Sequence, residues 1–245
     1  MKRNLISLVT TIFVLTVGAL AQGAKTDYGK PVVVLVERNP WLMVIGSDAP
    51  TFVLYETGHA IYKRTDDKQV KVYQVKLDHD ATKKLIDNLG LSNGFYNLPE
   101  YIRASSATDQ PTNSIFVNLQ KRKEVTVYGN LRRNIAGVDT PPPAAFLRVY
   151  ATLANFSHPA ETKWQPQTLE VMLWDYSYAP NSIDWPKEFP DLKAATTVRR
   201  GDSYSVFLES SQFEAFEKFY QSIGKKTAVK INGKKMAVSY RFPFP

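Results

Sequence analysis

The dipeptide Asn232-Gly233 sits between Thr227–Ile231 and Lys234–Phe242, two runs that alternate apolar and polar side chains. A two-residue hairpin turn needs positive φ at its centre, which Asn and Gly tolerate best, so the pattern specifies an antiparallel hairpin. The turn also sets the register, with Ile231 opposite Lys234 and Val229 opposite Met236. Val229, Ile231, Met236, Val238 and Tyr240 then share one face, and Lys230, Lys235, Ala237 and Ser239 the other. One face is expected to be core and the other wet, as in an antiparallel sheet packed on a helix.

The helix that such a sheet needs precedes the hairpin. Phe213, Phe216, Phe219, Tyr220 and Ile223 form an apolar stripe over Ser211–Ile223, closed by Gly224. Ser211 and Glu214 have capping-box spacing. Strands are expected at Thr168–Trp174 and Ser203–Glu209. The Pro- and aromatic-rich stretch Asp175–Leu192 between them reads as loop.

The first part of the chain repeats the same ingredients. Pro31–Glu37 is a β-branched strand, and Trp41–Ile45 is a second apolar run after the breaker Asn39-Pro40. Thr51–Tyr55 and Ala60–Lys63 flank a turn containing Gly58, and Val70–Leu77 alternates. A helix capped by Asp80 carries Leu85, Ile86 and Leu89 and closes near Gly90. Asn93–Asp109 reads as a long connection, and Ser114–Leu119 with Glu124–Tyr128 as a hairpin. Pro141-Pro142-Pro143 leads into a helix with Phe146, Val149, Tyr150 and Leu153 on one face. Ser157–Gln167 reads as a linker. The expected class is α+β, with antiparallel sheets each covered by a helix, in an N-terminal domain 25–157 and a C-terminal domain 158–245.

The two parts also align without a gap. Tyr73, Val75, Leu77 and Asp78 match Tyr204, Val206, Leu208 and Glu209, and Asp80 falls on Ser211. Two related strand–helix–hairpin units would produce this pattern. A chance match of strand periodicity would too.

Residues 1–21 have the order of a secretory signal peptide: Lys2-Arg3, a mostly apolar run to Val17, then Ala19-Leu20-Ala21 before a cut at Gln22. The run falls short of the roughly 20 apolar residues of a spanning helix. The mature chain is therefore expected outside the cytoplasm, in periplasm or medium, with no transmembrane segment. It has no cysteine, which removes disulfides, thiolate metal sites and a Cys nucleophile, so a core must hold it. The formal net charge is +8, two charges of which leave with the signal peptide. The lysines and arginines are scattered over turns, and export weighs against a nucleic-acid partner.

Phe52–Tyr62, the helix after Leu77, Asp109–Thr112 before the Ile115 strand, Trp185-Pro186 and Asn232–Lys234 together resemble exported bacterial α+β proteins with no assigned activity. The resemblance implies a small α+β fold and carries no chemistry.

Chemical motifs are sparse. His59, His79 and His158 lack ligand spacing, and HExxH is absent. Gly201-Asp202-Ser203 echoes an esterase serine block, but Ser203 precedes its strand and no histidine follows His158. Asp175, Asp184, Glu188 and Asp191 lie among loop aromatics, where paired carboxylates and sugar-stacking rings would suit a glycan hydrolase. The plainer reading is a loop pinned by its own aromatics. No catalytic, cofactor-binding or metal residue is assigned. The expected function is a non-catalytic binding or interaction protein of the cell envelope, with an envelope protein or glycan as partner. A hydrolase acting on an envelope polymer is the alternative.

Overall fold

The computed structural model describes residues 26–41, 48–66, 69–132, 138–164 and 166–245. The expected signal peptide, 1–21, and residues 42–45 of the second apolar run lie outside them. Chain order begins with β1 (Pro31–Arg38), β2 (Phe52–Tyr55), β3 (His59–Asp66) and β4 (Gln69–Lys76). It continues with α1 (His79–Leu89), α2 (Asn93–Tyr96), β5 (Tyr101–Arg103), β6 (Thr112–Asn118), β7 (Arg122–Tyr128) and α3 (Ala144–Ala154). Then come β8 (Thr162–Lys163), β9 (Thr168–Asp175), β10 (Asn181–Asp184), β11 (Val198–Arg200) and β12 (Ser203–Glu209). A 3-10 turn (Ser210–Gln212), α4 (Phe213–Ser222), β13 (Thr227–Ile231) and β14 (Lys234–Arg241) close the order. The class is α+β.

Among the described residues these strands form two sheets, in the orders β5-β7-β6-β1-β2-β3-β4-β8 and β10-β13-β14-β9-β12-β11. Both are mixed rather than purely antiparallel, because β5 runs parallel to β7 and β10 parallel to β13. These two strands fall in stretches that read as connections. At three and four residues they are too short and polar to show a period. Within the expected linker, β8 pairs with β4 at the edge of the first sheet.

The C-terminal hairpin has the register its turn dictates, Ile231 opposite Lys234 and Val229 opposite Met236. Its second face is drier than alternation predicts, since Ala237 is buried as well as Met236 and Val238. Both helix caps lie two residues earlier than expected. Asp78, not Asp80, accepts from the Ala81 amide at 2.8 Å, because its extended backbone directs the carboxylate back at the first turn. Glu209 and Gln212, rather than Ser211 and Glu214, form the capping box.

Leu85 and Leu89 of α1, Phe95 of α2, and Phe146, Val149 and Leu153 of α3 share one core with Val33, Leu35, Phe52 and Leu54. Each such fully buried side chain contributes about 1.5–3 kcal/mol over leaving it exposed. A second core gathers Leu169, Val171, Leu173, Val206, Phe216, Val229 and Val238. A third, smaller cluster lies on the opposite face of β2 and β3, where Val53, Tyr55, Ile61 and Trp164 meet Phe242 and Phe244. Phe242 also belongs to the second core, so the segment after β14 ties the two sheets together.

Candidate functional site

Strand alternation turns Val33, Leu35 and Glu37 of β1 to the same face. The first two are fully buried, and Glu37 carries that row to the sheet end with its side chain only 17% exposed. A buried carboxylate must be paired and hydrogen-bonded. Arg132 supplies a two-pronged grip, Nε to Oε1 at 2.7 Å and Nη2 to Oε2 at 2.6 Å. Tyr150 of α3 donates to Oε1 at 2.7 Å, and Thr51, just before β2, donates to Oε2 at 2.7 Å. Arg132 also bonds the Ala154 carbonyl at the end of α3, where the helix dipole favours a cation.

The protonation states follow. Burial works to raise the Glu37 carboxyl, but hydrogen bonds from Arg132 and Tyr150, the Arg132 charge and the Thr51 bond hold it below the ordinary glutamate value. Burial, then the Glu37 charge, pushes the Tyr150 phenol up, so it stays a neutral donor. An ionised carboxylate engaged by four hydrogen bonds is a poor general base. It makes a rigid charged wall.

That wall separates two clefts. One, of about 570 Å³, runs past Trp41, Asn39, Asp109, Gln110 and Asn130. The other, of about 650 Å³, runs past Lys63, Arg64, Asn155 and Phe156. Glu37 and Arg132 line both clefts and stand between them. Trp41 is 73% exposed beside the first. At the second, Arg64 lies 4.4 Å over the Tyr73 ring and pairs with Glu161 at 2.6 Å, and Tyr62 donates to the same carboxylate. Lys63 donates to the Ala49 carbonyl at 2.6 Å, a neutral acceptor. Burial pulls its ammonium down to about 8, against the opposing pull of Asp48 and Glu37.

The residues weighed from sequence lie elsewhere. His59 contacts Thr57 at 3.0 Å, exposed His79 opens α1, and His158 accepts from the Ala160 amide. Among the described residues no three His, Asp or Glu side chains gather as a metal-holding group. Ser203 donates to the Arg200 carbonyl across its turn. Of the four loop carboxylates, Asp175 lines a cleft of about 630 Å³ with Asp202, Tyr204 and Lys234, and the other three do not. Asp184 lies opposite Lys230, and Asp191 accepts from Asn232. Three strand spacings, about 14 Å, separate the backbones of Asp175 and Asp184. Trp185 and Phe189 of that loop are buried against Phe216 and Phe219.

Sequence reading assigned Pro31–Glu37 to a strand without singling out Glu37. The available signal was an acid on the core side of an otherwise apolar alternation. Nothing local announces its partners, which lie 14, 95 and 113 residues away. No protein-family model, curated protein or solved structure matches the chain.

Proposed function

We propose that the protein is an exported, non-catalytic binding protein of the cell envelope, and that the clefts flanking Glu37 and Arg132 hold its ligand. The observation that carries this reading is the Glu37 carboxylate, engaged by three residues from separate segments at the junction of two clefts. Such a network is preorganised for recognition and has no idle base. The signal-like order of residues 1–21 supports an envelope location. The test is native mass spectrometry on the mature protein purified from its own envelope fraction. A bound partner or ligand, with a chain mass starting near Gln22, is expected. A bare chain defeats the stable-binder reading.

The fold reading goes with it: α1 to α3 cover the first sheet, α4 covers the second, and the two strand–helix segments are copies. The support for copies is that the observed caps, Asp78 and Glu209, fall on one another in the gapless alignment. The likeness stops there, since β6, the first strand of its hairpin, lies inward, whereas in the second sheet it is β14, the second strand.

A hydrolase remains the second reading, on one observation. Asp175 and Asp202 share a cleft with Lys234, which bonds the Tyr204 hydroxyl at 2.9 Å. It requires envelope-polymer degradation that Asp175→Asn and Asp202→Asn each abolish.

A further inference from the structure

The second sheet ends in a charged cleft of its own. Alternation puts Val171, Leu173 and Asp175 on one face of β9, and Val238, Met236 and Lys234 on the same face of β14. The two valines, Leu173 and Met236 belong to the second core. Asp175 and Lys234 carry those rows past its end, where Asp202 and Tyr204 join them around a cleft of about 630 Å³. The Tyr204 ring is 8% exposed and packs in the core, opposite Leu173.

The charges of this cleft do not cancel one another. Lys234 Nζ donates to the Tyr204 hydroxyl oxygen at 2.9 Å, and among the described residues no carboxylate pairs with it. The phenol oxygen therefore acts as acceptor, and its own proton finds no acceptor among those residues. The Lys234 bond, with the Lys234 and Arg199 charges, outweighs burial and Asp202 and holds the phenol below its ordinary value. A more acidic phenol is a stronger donor to an anion. Asp175 accepts from Ser177 through Oδ2 only, and the Asp202 side chain bonds no described residue. Lys235, which also lines the cleft, is held by the Ala179 carbonyl at 2.8 Å.

A ligand that carries both signs suits such a cleft. A bare carboxylate is repelled by Asp175 and Asp202, and a bare amine by Lys234. A zwitterion sets each of its charges against the opposite one. With two acids against one available base, a second amine on the ligand completes the balance.

We propose that this cleft binds a small zwitterion of the amino-acid class, its carboxylate taken by Lys234 and the Tyr204 hydroxyl and its ammonium by Asp175 and Asp202, with a second amine preferred. The site is additional to the clefts beside Glu37 and goes beyond the reading that places a ligand there. Its carboxylates hold a charge and cleave nothing.

The experiment titrates the full mature chain with lysine, leucine, glutamate, cadaverine and hexanoate. It follows the methyl resonance of Met236, which lines the cleft. Lysine should shift it saturably and bind more tightly than leucine. Glutamate, cadaverine and hexanoate should each bind about tenfold more weakly than lysine, or worse. Asp202→Asn and Lys234→Gln, both at exposed positions, should keep the melting temperature and weaken lysine about tenfold. Tyr204→Phe should weaken lysine and leave cadaverine unchanged, a split that a loss of packing would not produce. No saturable shift, equal affinity for lysine and cadaverine, or full affinity in Asp202→Asn overturns the proposal. Polymer degradation that Asp175→Asn and Asp202→Asn abolish also overturns it, since the carboxylates would then be performing chemistry. Failure here leaves the reading of the clefts beside Glu37 standing, because Met236 reports on this cleft alone.

Discussion

The Tyr55 hydroxyl donates to the Pro245 carbonyl oxygen at 2.9 Å, across 190 residues of chain. Tyr55 faces away from the main core of the first sheet, in the cluster of Val53, Ile61 and Trp164. The Trp164 ring meets Phe242 and Phe244 edge-on, with centroids 6.5 and 5.0 Å away. The segment leaving the second sheet thus covers an apolar patch on the first.

Removing residues 242–245 should expose that patch. Loss of the two half-buried phenylalanines is expected to cost about 2–4 kcal/mol. Trp164 emission should shift to longer wavelength, since its ring becomes wet. An unchanged spectrum and melting temperature would show that the segment does not hold this position in solution.

Glu37→Gln should destabilise the fold by about 1–3 kcal/mol, because a neutral amide replaces the acceptor of charge-assisted bonds. The half-exposed Arg132 limits the loss, as it can turn to water. The carboxyl is held below its ordinary value in the folded chain. Its contribution is therefore complete above about pH 4.5 and is lost as pH falls through the lowered folded value. Denaturant melts at pH 7 and pH 3 check this, since the gap between wild type and variant should close in acid.

Lys63 should titrate near 8, well below a free lysine, because burial disfavours its charge. The unfolded chain then holds more protons between about 8 and 10.5, so this residue's effect on stability improves as pH rises through that window. The charges facing it are Asp48 and Glu37, which oppose the shift, with Arg64 and Arg132 lining the same cleft. Carbon NMR of the dimethylated lysine measures the titration.

Gly58 and Gly233 make a matched pair, both at φ +82°. A Cβ on Gly58 would lie 2.7 Å from the Leu77 carbonyl oxygen, a backbone atom. That oxygen cannot retreat easily, because the Leu77 amide is bonded to the Gly58 carbonyl at 2.9 Å. A Cβ on Gly233 meets nothing within 4 Å. Gly233→Ala should cost about 1–2 kcal/mol, from the left-handed backbone alone. Gly58→Ala should cost more, by about another 1–3 kcal/mol of strain. Equal melting temperatures for the two variants would contradict the close approach.

Much of the sheet pattern could be read from the residues. Pro31–Glu37, Val70–Leu77 and Thr168–Trp174 emerge as strands because β-branched and alternating side chains report locally on a pleated surface. The two-residue turn at Asn232-Gly233 fixed a register that the structure repeats residue for residue. The loop at Asp175–Leu192 was legible in part. Its aromatics do pin it to the core, but the strand Asn181–Asp184 within it is too short and polar to show a period. The helix caps were misplaced because Asp78 and Asp80 are chemically equivalent choices, and only backbone geometry separates them.

The Glu37 network and the clefts beside it were not legible. Glu37, Thr51, Lys63, Arg132 and Tyr150 are ordinary surface-compatible residues when taken singly. Trp41 reads as part of an apolar run, and nothing local says that its ring stays in water.

By itself the sequence determined the class, the hairpin at 227–241, the faces of the long strands and the apolar stripes of the helices. Each follows from periodicity or turn chemistry within a few residues, where backbone sterics and local burial decide. The tertiary structure alone decided the parallel edge strands, the ion pair of Glu37 with Arg132 and the bond from Tyr55 to Pro245. The last two of these contacts join residues 95 and 190 positions apart. Their energy depends on distance and desolvation in the folded chain, quantities that no local pattern of residue types encodes.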